Sequence, residues 1–427
     1  MTRYSTLVLE AVDRFGQYAF ALWLIVTGYG ALGLWQGDMA GIFMAARFVA
    51  DGHPELIYAA NAGLVSETPD AWLPALTALG KADVSTFPYV YPPLWAMIFA
   101  PLAGHIQIQT LLNGALILQL CLYFWSVRLA WLLVGQFMPW GRWALIALPI
   151  SAFAGAPVIA LLLNQPQITI SFLILLATYQ LVLAREIRAG LVLALAASIK
   201  LTPLIFILLF PALRRWRGLA AMIGGLALMA GLGVILAGPD LTLAFAARAK
   251  DLSEQTILSR IAYNIGPILL QLLPGDVTIL KAFPDASFVA LTPPVLKALS
   301  GAVLLALLAL ALWLTRHHDP QARAFELATA LTLIAALAGP IGWIHYYLGP
   351  TLLLPGLLRA GNPVGVWAFV LCAAIVLSFA FMLNAPIHLA FILPTVVYAA
   401  CLMLVLTGFM TPSSRIPRRA PLRPAAP

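Results

Sequence analysis

The chain has 427 residues, of which 62% are hydrophobic and only 9% are charged, with a formal net charge of +8. Soluble domains carry roughly 25% charged residues, so this chain has too few charges to cover a water-exposed globule. The composition excludes a soluble enzyme, a nucleic-acid-binding protein and a disordered chain. It predicts an integral membrane protein made of many helices. The arginines cluster in short loops and in the tail, as expected for cytoplasmic loops beside anionic lipid.

The apolar runs of the chain set its expected membrane topology. A helix that crosses a hydrocarbon core about 30 Å thick needs about 20 apolar residues. The runs that reach or approach this length are 17–35, 107–133, 143–163, 167–184, 218–238, 286–315, 322–339, 343–359, 364–383 and 388–410. The first run lacks a small-residue cleavage site, so it is expected to be a retained helix and not a signal peptide. Residues 1–410 are expected to form a single transmembrane domain, followed by a disordered basic tail over 411–427.

The segment 88–104 fits two descriptions. If it is a short span, the arginine clusters of the later loops lie on the external side of the membrane. As a helix lying at the membrane interface, it keeps those clusters cytoplasmic, in agreement with the positive-inside rule. Tyr89, Tyr91 and Trp95 also suit an interface. We therefore expect an interfacial helix.

The segment 189–213 has arginines at both ends, with Lys200 and Pro203 in its middle. A lysine at bilayer depth is costly, and proline breaks the hydrogen-bond ladder of a helix. A pair of half-helices of about 11 residues, each about 17 Å long, solves both problems. Such a pair keeps the arginines cytoplasmic and places Lys200 partway through the membrane, open to the far side.

Together these segments predict an all-α polytopic protein of about 12 transmembrane segments, with both termini in the cytoplasm. The first external loop spans 36–106 and holds two interfacial helices, and the second long external loop spans 239–285. The turns at 164–167, 340–345 and 384–388 lie on the same side. Since nearly every unusual polar residue falls on this face, the active site is expected to be external. The high Ala, Leu and Arg content and the absence of sorting signals indicate a bacterial inner membrane.

Asp38 lies directly after the first span, and Met39, Ile42 and Phe43 then recur at the spacing of a short amphipathic helix. Partial burial at a membrane edge raises the pKa of a carboxyl group toward values useful for a general base. Aspartate is also a favoured helix N-cap. A catalytic role and a capping role are therefore both open.

Two aromatic segments carry further polar candidates. Tyr91 precedes Pro92 and Pro93, which mark the start of a helix. The N–H groups of its first turn could hold phosphate, or the segment could be a plain helix start. His345 follows Trp343 at an external membrane edge. It could hydrogen-bond phosphate, or it could be a satisfied structural histidine.

Lys200 and Arg260 are basic residues expected on the external side. Each could bind a phosphate head group. The alternatives are a snorkelling lysine and a charge on a solvated amphipathic helix. The three cysteines lie within apolar runs and predict neither disulfides nor a metal site. No Walker loop, dinucleotide fingerprint, zinc spacing or Gly-x-Ser-x-Gly elbow occurs, which disfavours nucleotide-driven pumps and serine hydrolases.

Taken in order, these pieces resemble the GT-C-type integral-membrane glycosyltransferases, and most closely glycosyltransferase family 87, the polyprenyl-phosphate-mannose-dependent enzymes. The resemblance runs through most of the chain. It rests on Asp38, the stretch 45–52 that contains Arg47, Tyr91-Pro92-Pro93-Leu94, Asn164-Gln165-Pro166-Gln167, Lys200-Leu201-Thr202-Pro203 and the stretch 339–345 that contains Trp343 and His345. The family usually has Gly-Gln-x-Asn at the position of 164–167, and a second histidine where this chain has Tyr346.

The resemblance implies a GT-C fold and an inverting hexosyltransferase that moves a sugar, expected to be mannose, from a polyprenyl-phosphate donor to a glycolipid or glycan acceptor. It implies that Asp38 is the general base and that positive groups stabilise the departing phosphate. The residues expected to bind the donor phosphate or the substrates are His345, Lys200, Arg260, Tyr91, Arg47, Gln165 and Trp343. No metal or other cofactor is expected, and the expected partners are the donor, the acceptor and membrane lipids, without nucleic acid.

A transporter or lipid flippase is the alternative for a chain with about 12 spans. Transporters typically show repeated halves with broken helices at corresponding positions. This sequence has one broken pair, no visible repeat, and polar residues crowded on one face. The enzyme is therefore the favoured hypothesis.

Overall fold

The computed structural model describes residues 3–60, 67–272, 288–360, 365–370, 373, 383–384 and 387–409. Its named helices are α1 (Arg3–Ala31), α2 (Gly37–Ala50), α3 (Leu73–Ala78), α4 (Pro93–His105), α5 (Ile108–Ala130), α6 (Trp140–Phe153), α7 (Gly155–Leu162), α8 (Gln167–Val182), α9 (Glu186–Ile199), α10 (Leu209–Ala212), α11 (Trp216–Ser253), α12 (Ile265–Leu272), α13 (Pro294–Leu314), α14 (Pro320–Ala338), α15 (Leu348–Leu353) and α16 (Ile387–Leu406). Its two strands are β1 (Gln255–Leu258) and β2 (Phe288–Leu291).

Several helices have the length and composition of membrane spans. Within the described ranges, four qualify singly: α5 with its continuation to Gly135, α11, α13 and α14. Helices α6 and α7 form a fifth if they count as one span, bent by 69°. The chain is thus a helical multi-pass membrane protein, as expected. The total of about 12 segments stays a prediction.

The predicted break in 189–213 is confirmed. Helix α9 ends at Ile199, and Lys200 is extended, with φ −148° and ψ 140°. A 3-10 turn over Thr202–Leu208 then leads into α10. Pro203 lies in the first turn, where its missing N–H removes no helical hydrogen bond. The depth of Lys200 in the bilayer stays a prediction.

The predicted span 343–359 is not a regular helix. Short 3-10 turns over Ile344–Tyr347 and Leu354–Ala360 flank α15. The segment is buried almost throughout, so its apolar character reflects packing inside the protein. Pro350 and Pro355 each lack an N–H donor, which prevents a continuous ladder.

Other predictions fall partly outside the described chain. Most of the run 364–383 and the tail 411–427 lie outside the described residues. The run 286–315 begins with β2 instead of helix, and β2 pairs antiparallel with β1, from Gln255 opposite Leu291 to Leu258 opposite Phe288. Strand β1 lies in the second long loop and β2 lies in the apolar run that follows it, so the apolar pattern did not predict this small sheet.

The first external loop packs around α2. Nearly every residue from Met39 to Ala46 is buried, so α2 is enclosed on most sides and not amphipathic as expected. Helix α4 packs along it and has 13 residues, about 20 Å, which is too short to cross a bilayer. That α2 and α4 lie at the interface stays a prediction.

Gly41 sets how closely α2 approaches the chain before α4. A Cβ at Gly41 would lie 2.2 Å from the Phe87 carbonyl oxygen. Gly41→Ala is therefore expected to push α2 away and to cost about 1–3 kcal/mol of stability, seen as a lower Tm in detergent. Gly30→Ala is the control, because no atom lies within 4 Å of its Cβ position. An unchanged Tm for Gly41→Ala would contradict this close contact.

Candidate active site

A cavity of about 340 Å³ brings together most of the predicted site residues. They come from distant parts of the chain: the start of α2, the turn before α4, the α7–α8 turn, the break after α9 and the segment 339–345. The predicted residues that line the cavity are Asp38, Tyr91, Gln165, Lys200, Trp343 and His345. The cavity therefore joins a carboxylate, a lysine, an imidazole and several aromatic rings.

Asp38 is the second residue of α2 and faces this cavity. The N-cap of α2 is Gln36, with no side-chain capping bond, so the capping role considered for Asp38 is wrong. The carboxyl group keeps some solvent contact through the cavity, but the surrounding protein raises its pKa to about 7. The positive charge of Lys200 and a hydrogen bond from Gln165 partly offset this rise. A carboxyl group with this pKa can exchange a proton near neutral pH.

A hydrogen-bond network holds Gln165 beside Asp38. The side-chain amide of Asn164 donates to the Gln36 side chain and to the Leu112 carbonyl, both at 3.2 Å. The Gln119 amide donates to the Gln165 carbonyl at 3.1 Å. Asn164 has a φ of 49°, a left-handed conformation that glycine and asparagine adopt most readily. Asparagine can therefore serve where the family pattern has glycine.

Lys200 lies over an aromatic ring. Its Nζ is 4.1 Å from the ring centroid of Tyr346, which is the residue that replaces the second histidine of the family pattern. The Trp95 indole N–H donates to the Ser198 carbonyl at 2.7 Å. In an unbroken helix that carbonyl would accept from residue 202. Trp95 thus replaces a bond that the helix break removes, two residues before Lys200.

Trp95→Phe is expected to loosen Lys200, because it keeps a ring and removes the N–H donor. A lost hydrogen bond of about 1 kcal/mol corresponds to roughly fivefold faster modification of Lys200 by an amine reagent, measured by peptide mass spectrometry. Trp125→Phe, at an exposed position on α5, is the control. Equal modification rates in Trp95→Phe and the wild type would show that Trp95 does not hold the break.

His345 is buried, at 4% exposure, and neither ring nitrogen has a hydrogen-bond partner among the described residues. The described protein groups therefore do not satisfy the hydrogen bonding of this imidazole. The Trp343 ring stacks beside it at 6.5 Å. Main-chain bonds fix the segment, with the Tyr263 N–H donating to Gly342 at 2.7 Å and the Ile344 N–H donating to Ile261 at 2.8 Å. A rigid, unpartnered imidazole in a cavity is available to bind a substrate oxygen.

Two predicted residues do not line this cavity. Arg47 donates to Asp51 at 2.8 Å and to the Ala103 carbonyl at 3.2 Å, which ties the end of α2 to α4. Arg260 is also absent from the lining. Phe245 and Tyr346 do line it and were not predicted as site residues. No spacing rule links either of them to Asp38, so only the fold reveals their position.

Comparison with known proteins identifies a family. The family model described as glycosyltransferase family 87 matches residues 89–340, more than half of the chain. No curated protein and no solved structure matches the chain. The matched range contains Tyr91, Gln165 and Lys200, whereas Asp38 and His345 lie outside it.

Proposed function

The chain belongs to glycosyltransferase family 87, of the GT-C type, and is a membrane glycosyltransferase; from this premise, we propose that it transfers mannose from a polyprenyl-phosphate donor, with inversion, to a hydroxyl group of a lipid-linked or extracytoplasmic acceptor. Asp38 is the general base in this reaction. Lys200, His345, Tyr91, Gln165 and Trp343 surround the donor head group.

The observation that carries the proposal is a cavity holding a carboxylate, a lysine and an imidazole, which lies beside an apolar groove. The groove has a volume of about 330 Å³ and lies between α4, the end of α9 and α11. Leu201 and Phe245 line both the groove and the cavity. A polyprenyl-phosphate sugar has a polar head group and an apolar chain, so it fits this pair of spaces.

The geometry supports a single displacement. Asp38 takes the proton of the acceptor hydroxyl while its oxygen forms a bond to the anomeric carbon. The bond from that carbon to the phosphate oxygen breaks on the opposite face, and polyprenyl phosphate leaves with the bonding electrons. Negative charge develops on the departing phosphate, where Lys200 and His345 can stabilise it. The proton held by Asp38 then passes to solvent or to the released phosphate.

The charge of the cavity supports a phosphate-linked donor, and the proposed reaction uses no metal. Lys200 is the lysine that lines the cavity, and no arginine of the described chain lines it. Its positive charge is opposite in sign to the single negative charge of a sugar phosphodiester. In the described part of the chain, no group of three or more His, Cys, Asp or Glu is placed to hold a metal ion.

The proposed orientation places this cavity on the external face of a bacterial inner membrane, with both termini cytoplasmic. The arginine-bearing loops before α9 and α11 support this orientation under the positive-inside rule. In a cysteine-free background, a cysteine introduced by Ser85→Cys, at an exposed position, is expected to react with an impermeant thiol reagent from outside. A cysteine introduced by Ser413→Cys, beyond the described residues, is expected to be protected. The reverse labelling would overturn the orientation.

The proposal is tested by giving the purified protein in nanodiscs polyprenyl-phosphate mannose and a panel of membrane lipid extracts. Mannosylated product together with released polyprenyl phosphate is the expected result. Transfer only from another lipid-linked sugar would overturn mannose while keeping the reaction. Neither product nor donor breakdown with any lipid-linked sugar would overturn the proposal, and lipid flux assays in liposomes would then test the transporter hypothesis.

A further inference from the structure

Two neighbouring corners of the fold have the same backbone shape. In the corner between α8 and α9, Ala184 has a φ of 58° and Arg185 has φ −96° and ψ 63°. In the corner between α10 and α11, Arg214 has a φ of 56° and Arg215 has φ −102° and ψ 65°. Each corner ends one helix and begins the next within three residues, and each uses arginine as the N-cap. The chain therefore fixes two arginine-bearing corners without a flexible loop.

The two corners lie side by side. A Cβ on Gly190 would lie 2.2 Å from the Gly218 carbonyl oxygen, and a Cβ on Gly218 would lie 2.9 Å from the Glu186 carbonyl oxygen. These glycines let the first turns of α9 and α11 touch. The basic side chains of both corners consequently share one surface.

This surface is the arginine patch, made of Arg185, Arg188, Arg214, Arg215 and Arg217. All but Arg215, which is half-buried, are exposed. Glu186 is the acidic residue in the first turn of α9, and α11 has none in its first turn. The ion pairs found in the described part of the chain involve other residues.

The arginine patch concentrates like charges, which the C-termini of α8 and α10 in the same corners offset only in part. The N-terminus of a helix carries partial positive charge, and cations near it are destabilising. Here two such ends meet beneath several guanidinium groups, and neither end has a side-chain cap. An anion between the arginines would relieve this repulsion, and guanidinium groups bind phosphate oxygens with paired hydrogen bonds.

The surroundings of the patch point to a lipid. Trp216 is 61% exposed, and Ile187 and Leu191 are each 51% exposed, directly beside the arginines. In a membrane protein, apolar side chains next to basic ones suit the boundary between acyl chains and head groups. We propose that the arginine patch binds the phosphate of an anionic phospholipid head group. The site is separate from the proposed reaction, because none of its arginines lines the catalytic cavity.

The test titrates the detergent-purified full chain with phosphatidylglycerol, phosphatidylcholine or inorganic phosphate, and follows Tm. Phosphatidylglycerol is expected to raise Tm at the lowest concentration. The triple variant Arg185→Gln, Arg188→Gln, Arg217→Gln should need at least about tenfold more of it. The matched control, Arg14→Gln, Lys297→Gln, Arg316→Gln, removes three exposed positive charges elsewhere and should titrate like the wild type.

Several results would overturn the proposal. One is an equal Tm response of the patch variant and the wild type to phosphatidylglycerol. Another is a wild-type response to phosphatidylcholine equal to that to phosphatidylglycerol. The third is an equal response to inorganic phosphate, which would indicate an anion site without lipid specificity. If the triple variant does not fold, Arg188→Gln and Arg217→Gln are titrated singly. Each is expected to weaken the response about threefold, and no weakening in either would reject the site.

Discussion

Asp38→Asn is expected to abolish sugar transfer, with kcat lowered by about 10³-fold, while the protein keeps its fold. General-base catalysis contributes about 10²–10⁴-fold, and an amide cannot accept the proton. The side chain is nearly isosteric, so donor binding should change little. The measurement is single-turnover release of polyprenyl phosphate, followed beside Tm and size-exclusion behaviour.

Stability separates a catalytic loss from a structural one. Burial raises the pKa of Asp38 from 3.8 to about 7, so the folded protein favours the protonated form. The stability contributed by Asp38 is therefore full at acid pH and is lost as pH rises through about 7. Asparagine does not ionise, so at pH 8 the variant should be at least as stable as the wild type. Asp51→Asn, at the exposed end of the same helix, is the matched control and should transfer normally. Normal turnover by Asp38→Asn would reject the general-base assignment.

Lys200→Met is expected to slow transfer by about 10²-fold and to shift its pH dependence. The slower rate follows from losing a positive group where charge develops on the departing phosphate. In the wild type, kcat/KM should rise with pH through a midpoint near 7, as Asp38 loses its proton. Because the charge of Lys200 lowers the pKa of Asp38, its removal should move this midpoint to higher pH.

The control for this experiment is Lys250→Met, which removes an exposed positive charge at the end of α11. It should change neither the rate nor the midpoint. A lower rate in Lys200→Met with an unmoved midpoint would mean that Lys200 binds substrate without acting on Asp38. An unchanged rate would remove Lys200 from the proposed mechanism.

Local chemistry explains what could be predicted from the sequence. The break before Pro203 was predictable because a lysine and a proline within an apolar run each oppose a continuous helix. The ordered motifs of the family resemblance also named six residues that line one cavity. By contrast, the sequence does not separate the catalytic role of Asp38 from a capping role. The N-cap of α2 is Gln36, although aspartate is the more favoured capping residue.

Tertiary packing explains what was missed. Arg47 stands in a family motif but pairs with Asp51 four residues later on the same helix face, a spacing that indicates a structural ion pair as readily as a substrate role. The run 343–359 is as apolar as a span because it is enclosed by protein, and hydrophobicity alone cannot separate the two cases. The pairing of β1 with β2 joins segments that are separated in sequence by α12 and the residues after it, so no short-range pattern reveals it.

The contact between Asn164 and Gln36 links two loops that are far apart in sequence. The Asn164 amide donates to the Gln36 oxygen as well as to the Leu112 carbonyl, and Gln36 is also the N-cap of the helix that carries Asp38. Replacing Asn164 would leave the buried Gln36 oxygen without this donor, which is costly. In related chains, these two positions are therefore expected to covary, with a smaller residue at one accompanied by a compensating replacement at the other.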